Sequence, residues 1–272
     1  MESAKSMKLY DRVERIHNEL RALGIPDDAP LTVEQLVPFD QYHYHGTEAV
    51  DEAARRVGID ESTRVVDVGA GIGGPARWLA ATTGCHVTAL ELQPDLDATA
   101  AALTARCGLA DRVAHVAGDI LDGPPSGSPF DALISYLAIL HIPDRARLFA
   151  ACRASLTDAG AMYIEDFTQR REPTAAEREA LRVKVQCPYV PPLDVYEADI
   201  RGAGFSTVEV DDVTEDWTAF TATRAALFQA DRERLVRVHG EELVDGLEDF
   251  MTTMAGLYAD GVLGGARIVA RV

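Results

Sequence analysis

The chain has 272 residues, 47% hydrophobic and 26% charged, with a formal net charge of −18 and a pI near 4.7. That length buries a substantial core in one large domain, or in one domain with a cap. Such acidity argues against nucleic acid or an anionic membrane as partner, since both need clustered Lys and Arg.

Cys85, Cys107, Cys152 and Cys187 stand far apart with no CxxC pair, which disfavours structural zinc and fits a reducing cytoplasm. No apolar run approaches the ~18 residues of a membrane span, and the N-terminus lacks the apolar core of an export signal. Residues 8–23 put Leu9, Val13, Ile16 and Leu20 at helical spacing. Thr32 is placed to cap a short helix ending before Pro38, and a further helix is predicted from Thr47 to Val57.

From Arg64 the pattern changes. Strands are predicted at 64–68, 86–92, 113–120, 130–140 and 161–167, and helices at 75–82, 95–106 and 144–156. This alternation predicts an α/β fold, a Rossmann-like, doubly wound, mostly parallel sheet of seven strands. A helix follows at 196–205, a sixth strand at 206–213 and helical text from 219 to about 258. The closing "GARIVARV" is expected to finish one edge of the sheet. The division expected is a helical N-terminal lid over 1–60, a ligand-binding core over 61–168 and a substrate cap over 169–272. The cap contributes sheet-completing strands at 205–213 and 265–272. Ligands of such sheets sit at the carboxyl ends of the strands.

"VVDVGAGIGG" fits the template GxGxxG through Gly69, Gly71 and Gly74, a pattern that many unrelated loops also fit. Glu91 lies about 20 residues on, where an acid takes ribose hydroxyls. Two coenzyme readings compete, NAD and S-adenosylmethionine (SAM). Asp67, two residues before the first glycine, separates them: a pyrophosphate would sit near a carboxylate at reduced dielectric, whereas the sulfonium and amino group of SAM are cations. The plainer alternative is that Asp67 only caps the loop and the glycines only let helix and strand pack closely.

Taken with Glu91, "AGDI" around Asp119 and "LISYLAILHIPD", the glycine segment resembles the motif series of class I SAM-dependent methyltransferases over about Arg64 to Phe167. The pattern "YEADIRGAGF", then helices, then "GARIVARV" more loosely resembles the small-molecule branch, including sarcosine/dimethylglycine and sugar O-methyltransferases. The resemblance implies that Asp67, Gly69, Gly71 and Gly73 lie against the methionine and ribose part of SAM. Ala70 stands where many relatives carry cysteine and is read through its backbone. Glu91 takes the ribose hydroxyls, with Leu92 and Gln93 beside it. Asp119 takes the adenine amino group with Ile120 beside the ring, and Ser135, Tyr136 and Leu137 back the methionine end.

Methyl transfer from a sulfonium is an in-line displacement, so the protein supplies positioning, desolvation and a base. His141, just past the fourth strand, is the first candidate base, against a purely structural histidine. Asp166, with Glu165 beside it, is the second, against a salt bridge to Arg170 or Arg171. In "FDQYHYHG", His43 and His45 lack an evident third metal ligand, and no metal is expected. Burial of the aromatics as ordinary core is one reading; the favoured one makes the segment a lid, with Tyr42 and Tyr44 facing the sulfonium and His45 a further catalytic candidate. An extended segment would let only one of the pairs 42/44 and 43/45 face the ligand.

Tyr136, Tyr189 and Trp217 are further pocket candidates, and residues 185–194 form a proline-stiffened loop suited to shaping it. Phe250, Met251 and Met254 read as helix packing. The function expected is a cytoplasmic methyltransferase acting on a small molecule, with nitrogen preferred over oxygen or carbon as acceptor and a homodimer admissible. The alternatives are an NAD-dependent oxidoreductase and a SAM-binding protein of this fold that transfers no methyl.

Overall fold

The computed structural model describes residues 13–272. The chain enters through α1 (Glu14–Ala22), α2 (Val33–Asp40) and α3 (Thr47–Val57). Leu9 and the rest of the 8–12 stretch expected in the first helix lie outside the described residues. Thr32 caps α2 through a capping box with Gln35, but the helix runs on through Pro38 to Asp40. Pro38 falls in the last turn, where little helix remains to disrupt, and Gln41 leaves in an extended conformation.

The alternating core follows: β1 (Arg64–Val68), α4 (Gly74–Thr83), β2 (His86–Glu91), α5 (Pro94–Arg106), β3 (Val113–Ala117), β4 (Phe130–Tyr136), α6 (Arg145–Ala154) and β5 (Leu156–Gln169). Two predicted strands stop early. β3 ends at Ala117 because Asp119 turns to cap a 3-10 turn, Ile120–Asp122, and β4 ends where Leu137 adopts a positive φ of 49°. Then come α7 (Ala175–Ala180), α8 (Leu193–Gly202), β6 (Thr207–Asp212), α9 (Thr214–Ala230), α10 (Arg232–His239), α11 (Glu241–Ala259) and β7 (Leu263–Arg271). The cap's single predicted run of helical text is thus three helices, divided at Asp231 and Gly240.

The seven strands lie in the order β3-β2-β1-β4-β5-β7-β6. The first five are parallel, and β7 runs antiparallel to both β5 and β6. The expectation that the last strand forms an edge is corrected: β7 is interior and β6 is the edge. Burial explains the placement, because eight of the nine residues of β7 are shielded from solvent on one face or the other or both, while β6 alternates half-buried and exposed positions.

The sheet separates two apolar layers. On one side Val66, Leu133, Met162 and Ile164 meet Leu148, Phe149, Tyr196 and Ile200 of α6 and α8. On the other, Val65, Ala132, Ile134 and Tyr163 meet Ala49, Val50 and Ala53 of α3 and Leu79 of α4. A third cluster joins the cap to the strand ends through Phe167, Trp217, Met254, Leu257 and Tyr258. Among the described residues no helix is long and apolar enough to cross a membrane.

Candidate active site

The glycine turn between β1 and α4 exists because its backbone must go where side chains rarely allow. Gly69, Gly71 and Gly73 have φ of 77°, 55° and 78°. A Cβ on Gly69 would lie 2.2 Å from the Ala138 Cβ, so this glycine also admits the loop after β4. Gly71 differs, since a Cβ there would meet nothing within 4 Å. Its face is open.

Two carboxylates flank that opening. Glu91, at the end of β2, accepts from the backbone N–H of Gly71 at 2.8 Å through one oxygen and from that of Gln93 at 2.9 Å through the other. Burial nevertheless raises its pKa. Asp67 is fully buried, and its Oδ2 has no hydrogen-bond partner among the described residues. Burial, with the charge of Glu91 adding to it, pushes Asp67 up to about 7. A buried carboxylate without a partner is costly unless a cation or donor reaches it. The residues therefore fit a cationic group beside the turn and oppose a phosphate there.

The rest of the predicted cofactor set falls along the same strand ends. Leu92 and Gln93 continue from Glu91 to the start of α5, Ala70 is buried in the turn, and Ile120 is buried below the cap that Asp119 makes to the Leu121 N–H at 2.9 Å. Ser135 is committed to structure, donating to the Val68 carbonyl at 2.7 Å. Tyr136 is buried, its hydroxyl has no hydrogen-bond partner among the described residues, and burial raises its pKa well above the ordinary phenol range.

His141 ends a 3-10 turn after β4, and its Nδ1 lies 2.9 Å from the Gln186 carbonyl oxygen. A carbonyl only accepts, so the hydrogen is on Nδ1 and the lone pair on Nε2. Burial lowers the ring's pKa to about 4, so it is neutral near pH 7 and able to take a proton. Three non-glycine residues among those described have positive φ: His45, Leu137 and Gln186. They lie in the lid, in the loop after β4 and in the cap loop that holds His141. Such backbone is retained where the surroundings impose it, often at functional sites.

The lid is not extended, and this corrects the expected facing of its tyrosines. The chain bends from 43 and turns at Gly46, with His45 at φ 58° and Gly46 at 51°, and strict alternation fails. Tyr42 packs beside Ile16, Leu20 and Ile72 with Arg15 over its ring. Tyr44 turns the other way, into the cap, 4.8 Å from Trp217 and 5.1 Å from Phe220 between ring centroids. The lid residue at the end of β4 is His43, stacked on Tyr136 at 4.6 Å. His45 instead lies against Phe220, the rings tilted by 46° with centroids 4.4 Å apart, and its Nε2 is 2.7 Å from Asp216 of α9, tying lid to cap.

Asp166 faces the α6 and α8 layer, where Tyr196 donates to it at 2.9 Å and Arg145 lies at 3.4 Å. Neither arginine expected beside it is there: Arg170 pairs with Asp212 and Arg171 with Glu177. Glu165 points to the opposite face and accepts from Tyr163 at 2.7 Å and Arg267 at 2.9 Å. Tyr189 is exposed, whereas Trp217 is fully buried in the aromatic cluster. Sequence reasoning missed Arg145, Arg267 and Gln186, whose roles come from contacts 21 to 102 residues away in the chain.

Residues 65–160 match the family described as a methyltransferase domain. The glycine/sarcosine/dimethylglycine N-methyltransferase of Actinopolyspora halophila is 28% identical over 166 residues, 61% of this chain and 29% of that one. Against three such curated relatives the chain spans 29% to 62% of their length. Phosphoethanolamine N-methyltransferase 2 of Haemonchus contortus, solved with phosphomonomethylethanolamine and S-adenosylhomocysteine, superposes with a TM-score of 0.78 at 20% identity. That match covers 96% of this chain and 57% of the other. The [4+2]-cyclase SpnF superposes with a TM-score of 0.71 at 20% identity, over 97% and 94% of the two chains. Residues 65–160 are thus similar to a methyltransferase domain, and the chain has the Rossmann-like fold of the solved methyltransferases it superposes on.

Proposed function

We propose that this protein transfers the methyl group of SAM to a small-molecule acceptor, nitrogen being preferred to oxygen or carbon. The observation that carries the reading is the buried, unpartnered Oδ2 of Asp67, near enough to Glu91 for their charges to interact, with Glu91 itself bound to the N–H of the open Gly71. An ammonium or sulfonium there gains a countercharge that a nicotinamide dinucleotide's pyrophosphate would be repelled by. When bound, SAM supplies a methyl already activated by its sulfonium.

The chain's own residues then have three tasks. Asp67 and Glu91 hold the cationic and ribose ends, as the family resemblance implies. His43, stacked on Tyr136, closes the end of β4 against water. The neutral His141, its Nδ1–H fixed on Gln186, offers Nε2 to the acceptor's proton. The buried aromatic cluster of Tyr44, Phe167, Trp217 and Tyr258 gives the cap side an apolar wall against which an acceptor would be held. Asp166 is held through one oxygen by Tyr196 and Arg145 on the α6 and α8 side of the sheet, while its other oxygen has no hydrogen-bond partner among the described residues, and it stays the second candidate after His141.

Calorimetry tests the first half: S-adenosylhomocysteine titrates and NADH does not, and the reverse result ends the proposal. Turnover to S-adenosylhomocysteine with a panel of amines, phenols and carbon acids tests the second half. A second reading, a cofactor-holding catalyst that moves no methyl, draws on the fold shared with the [4+2]-cyclase. It predicts binding of S-adenosylhomocysteine with no methylated product from any acceptor.

A further inference from the structure

A continuous line of side chains runs from the helix behind the glycine turn to the lid. Arg77 of α4 and Asp40 at the end of α2 are both wholly buried and lie 3.0 Å apart. The other Asp40 oxygen accepts from the Gln41 side-chain amide at 2.9 Å. Because a carboxylate only accepts, this contact fixes which way the amide points. Its oxygen then faces His43 Nε2 at 3.0 Å. His43 Nδ1 lies 3.1 Å from the Tyr44 carbonyl, a second acceptor. Burial keeps the ring neutral, with a pKa of about 4, so its one N–H is shared between two acceptors, the Gln41 amide oxygen and the Tyr44 carbonyl, and donates to one of them at a time. The His43 ring in turn lies on Tyr136 at the end of β4.

We propose that Arg77, Asp40, Gln41 and His43 form a positioning relay that sets the lid against the end of β4, and so builds the wall over the methionine end of the cofactor. The proposal rests on the SAM reading of the site. None of the four touches reacting atoms; each acts through the next.

The anchor of the relay is rigid. Arg77 also donates to the Ala100 carbonyl and to Thr104 of α5, both at 3.3 Å, and Thr104 meets His115 of β3 at 2.8 Å. A buried ion pair stabilises little on its own account but admits few alternative registers, because any slip leaves a charge unpaired. The lid also crosses directly over the start of α4. A Cβ on Gly74 would lie 2.3 Å from the Asp40 carbonyl oxygen and 2.8 Å from the Gln41 amide nitrogen. Lid and cofactor turn are therefore in backbone contact at one end and joined through His43 and Tyr136 at the other.

Gln41→Leu is the sharpest test, because Gln41 is half-buried and its loss leaves the buried pair intact. Without Gln41 the lid is no longer held in register against the end of β4, and S-adenosylhomocysteine affinity should weaken roughly tenfold. The thermal midpoint should stay close to wild type. Adenosine, which lacks the methionine part, should bind the variant and the wild type alike. A general loosening of the fold would weaken both ligands together, and that outcome overturns the relay, as does unchanged affinity for S-adenosylhomocysteine. If Gln41→Leu lowers the midpoint, the paired replacement Asp40→Leu with Arg77→Met, which leaves no buried charge, carries the same test with the same ligand contrast. Wild-type protein that binds no S-adenosylhomocysteine at all refutes the SAM reading, a result distinct from any result on the variants.

Discussion

Between Arg64 and Gln169 the site consists of backbone turns at strand ends that the sheet sets side by side, as where Glu91 accepts from the Gly71 N–H and Ser135 donates to the Val68 carbonyl. Between Val13 and Gly46, and again from Thr214 to Ala259, it consists of side-chain ties between residues far apart in the chain. His45 reaches Asp216, and Glu19 of α1 reaches both Arg234 and His239 around α10, each at 2.8 Å. The floor is thus held by main-chain geometry that tolerates almost no substitution at its glycines. The roof is held by separable contacts, each modest. Affinity for the cofactor and choice of acceptor are accordingly assigned to parts of the molecule with different tolerance to change.

The largest expected effect falls where floor and roof meet. If His141 is the base, as proposed, His141→Ala should lower kcat by about 10²- to 10⁴-fold with affinity for S-adenosylhomocysteine unchanged. Equal loss of both would erase the division. Gly69→Ala probes the floor alone: φ of 77° and a Cβ 2.2 Å from that of Ala138 predict destabilisation of about 3 kcal/mol, roughly 10 °C in the thermal midpoint.

Asp67 gives the comparison a pH axis. Its folded pKa, about 7, lies above the ordinary aspartate value of 3.8, so its contribution to the stability of the unliganded protein is greatest below 3.8 and is lost as pH rises through 7. Affinity for the cationic cofactor moves the opposite way, rising by up to about tenfold per pH unit below 7 and levelling above it. Asp67→Asn should flatten both curves, as urea melts and calorimetry across pH 5 to 8.5 would report. The smallest effect belongs to the roof. His45→Ala should cost at most about 1 kcal/mol, as for other partly exposed pairs, and should raise the acceptor KM a few-fold with cofactor affinity unaltered.

The same contrast explains what could be read in the sequence. The floor was legible because its determinants are local: glycines, an acid at the end of each of two strands, and apolar runs at strand spacing. The chain order of β1 to β5 followed from the alternation of strand and helix. The roof was legible only as helical text. Nothing in "FDQYHYHG" signals that His45 and Gly46 take positive φ, and an extended reading therefore sent Tyr44 towards the cofactor instead of into the cap. Arg77 offered one clue, a charge among the otherwise apolar positions of α4, but its partner lies 37 residues upstream. The placement of β7 was missed for a different reason: an apolar closing strand fits an edge or an interior position equally until its two neighbours are known.

That placement has a consequence for how the protein is made. β6 pairs with no strand except β7, yet it leaves the ribosome some fifty residues earlier. The five parallel strands can assemble as they emerge, while β6 must wait, unpaired, through the synthesis of three helices. Its alternating acids, Glu209 and Asp211 among them, suit such a wait, since charge on a lone strand discourages pairing with another chain.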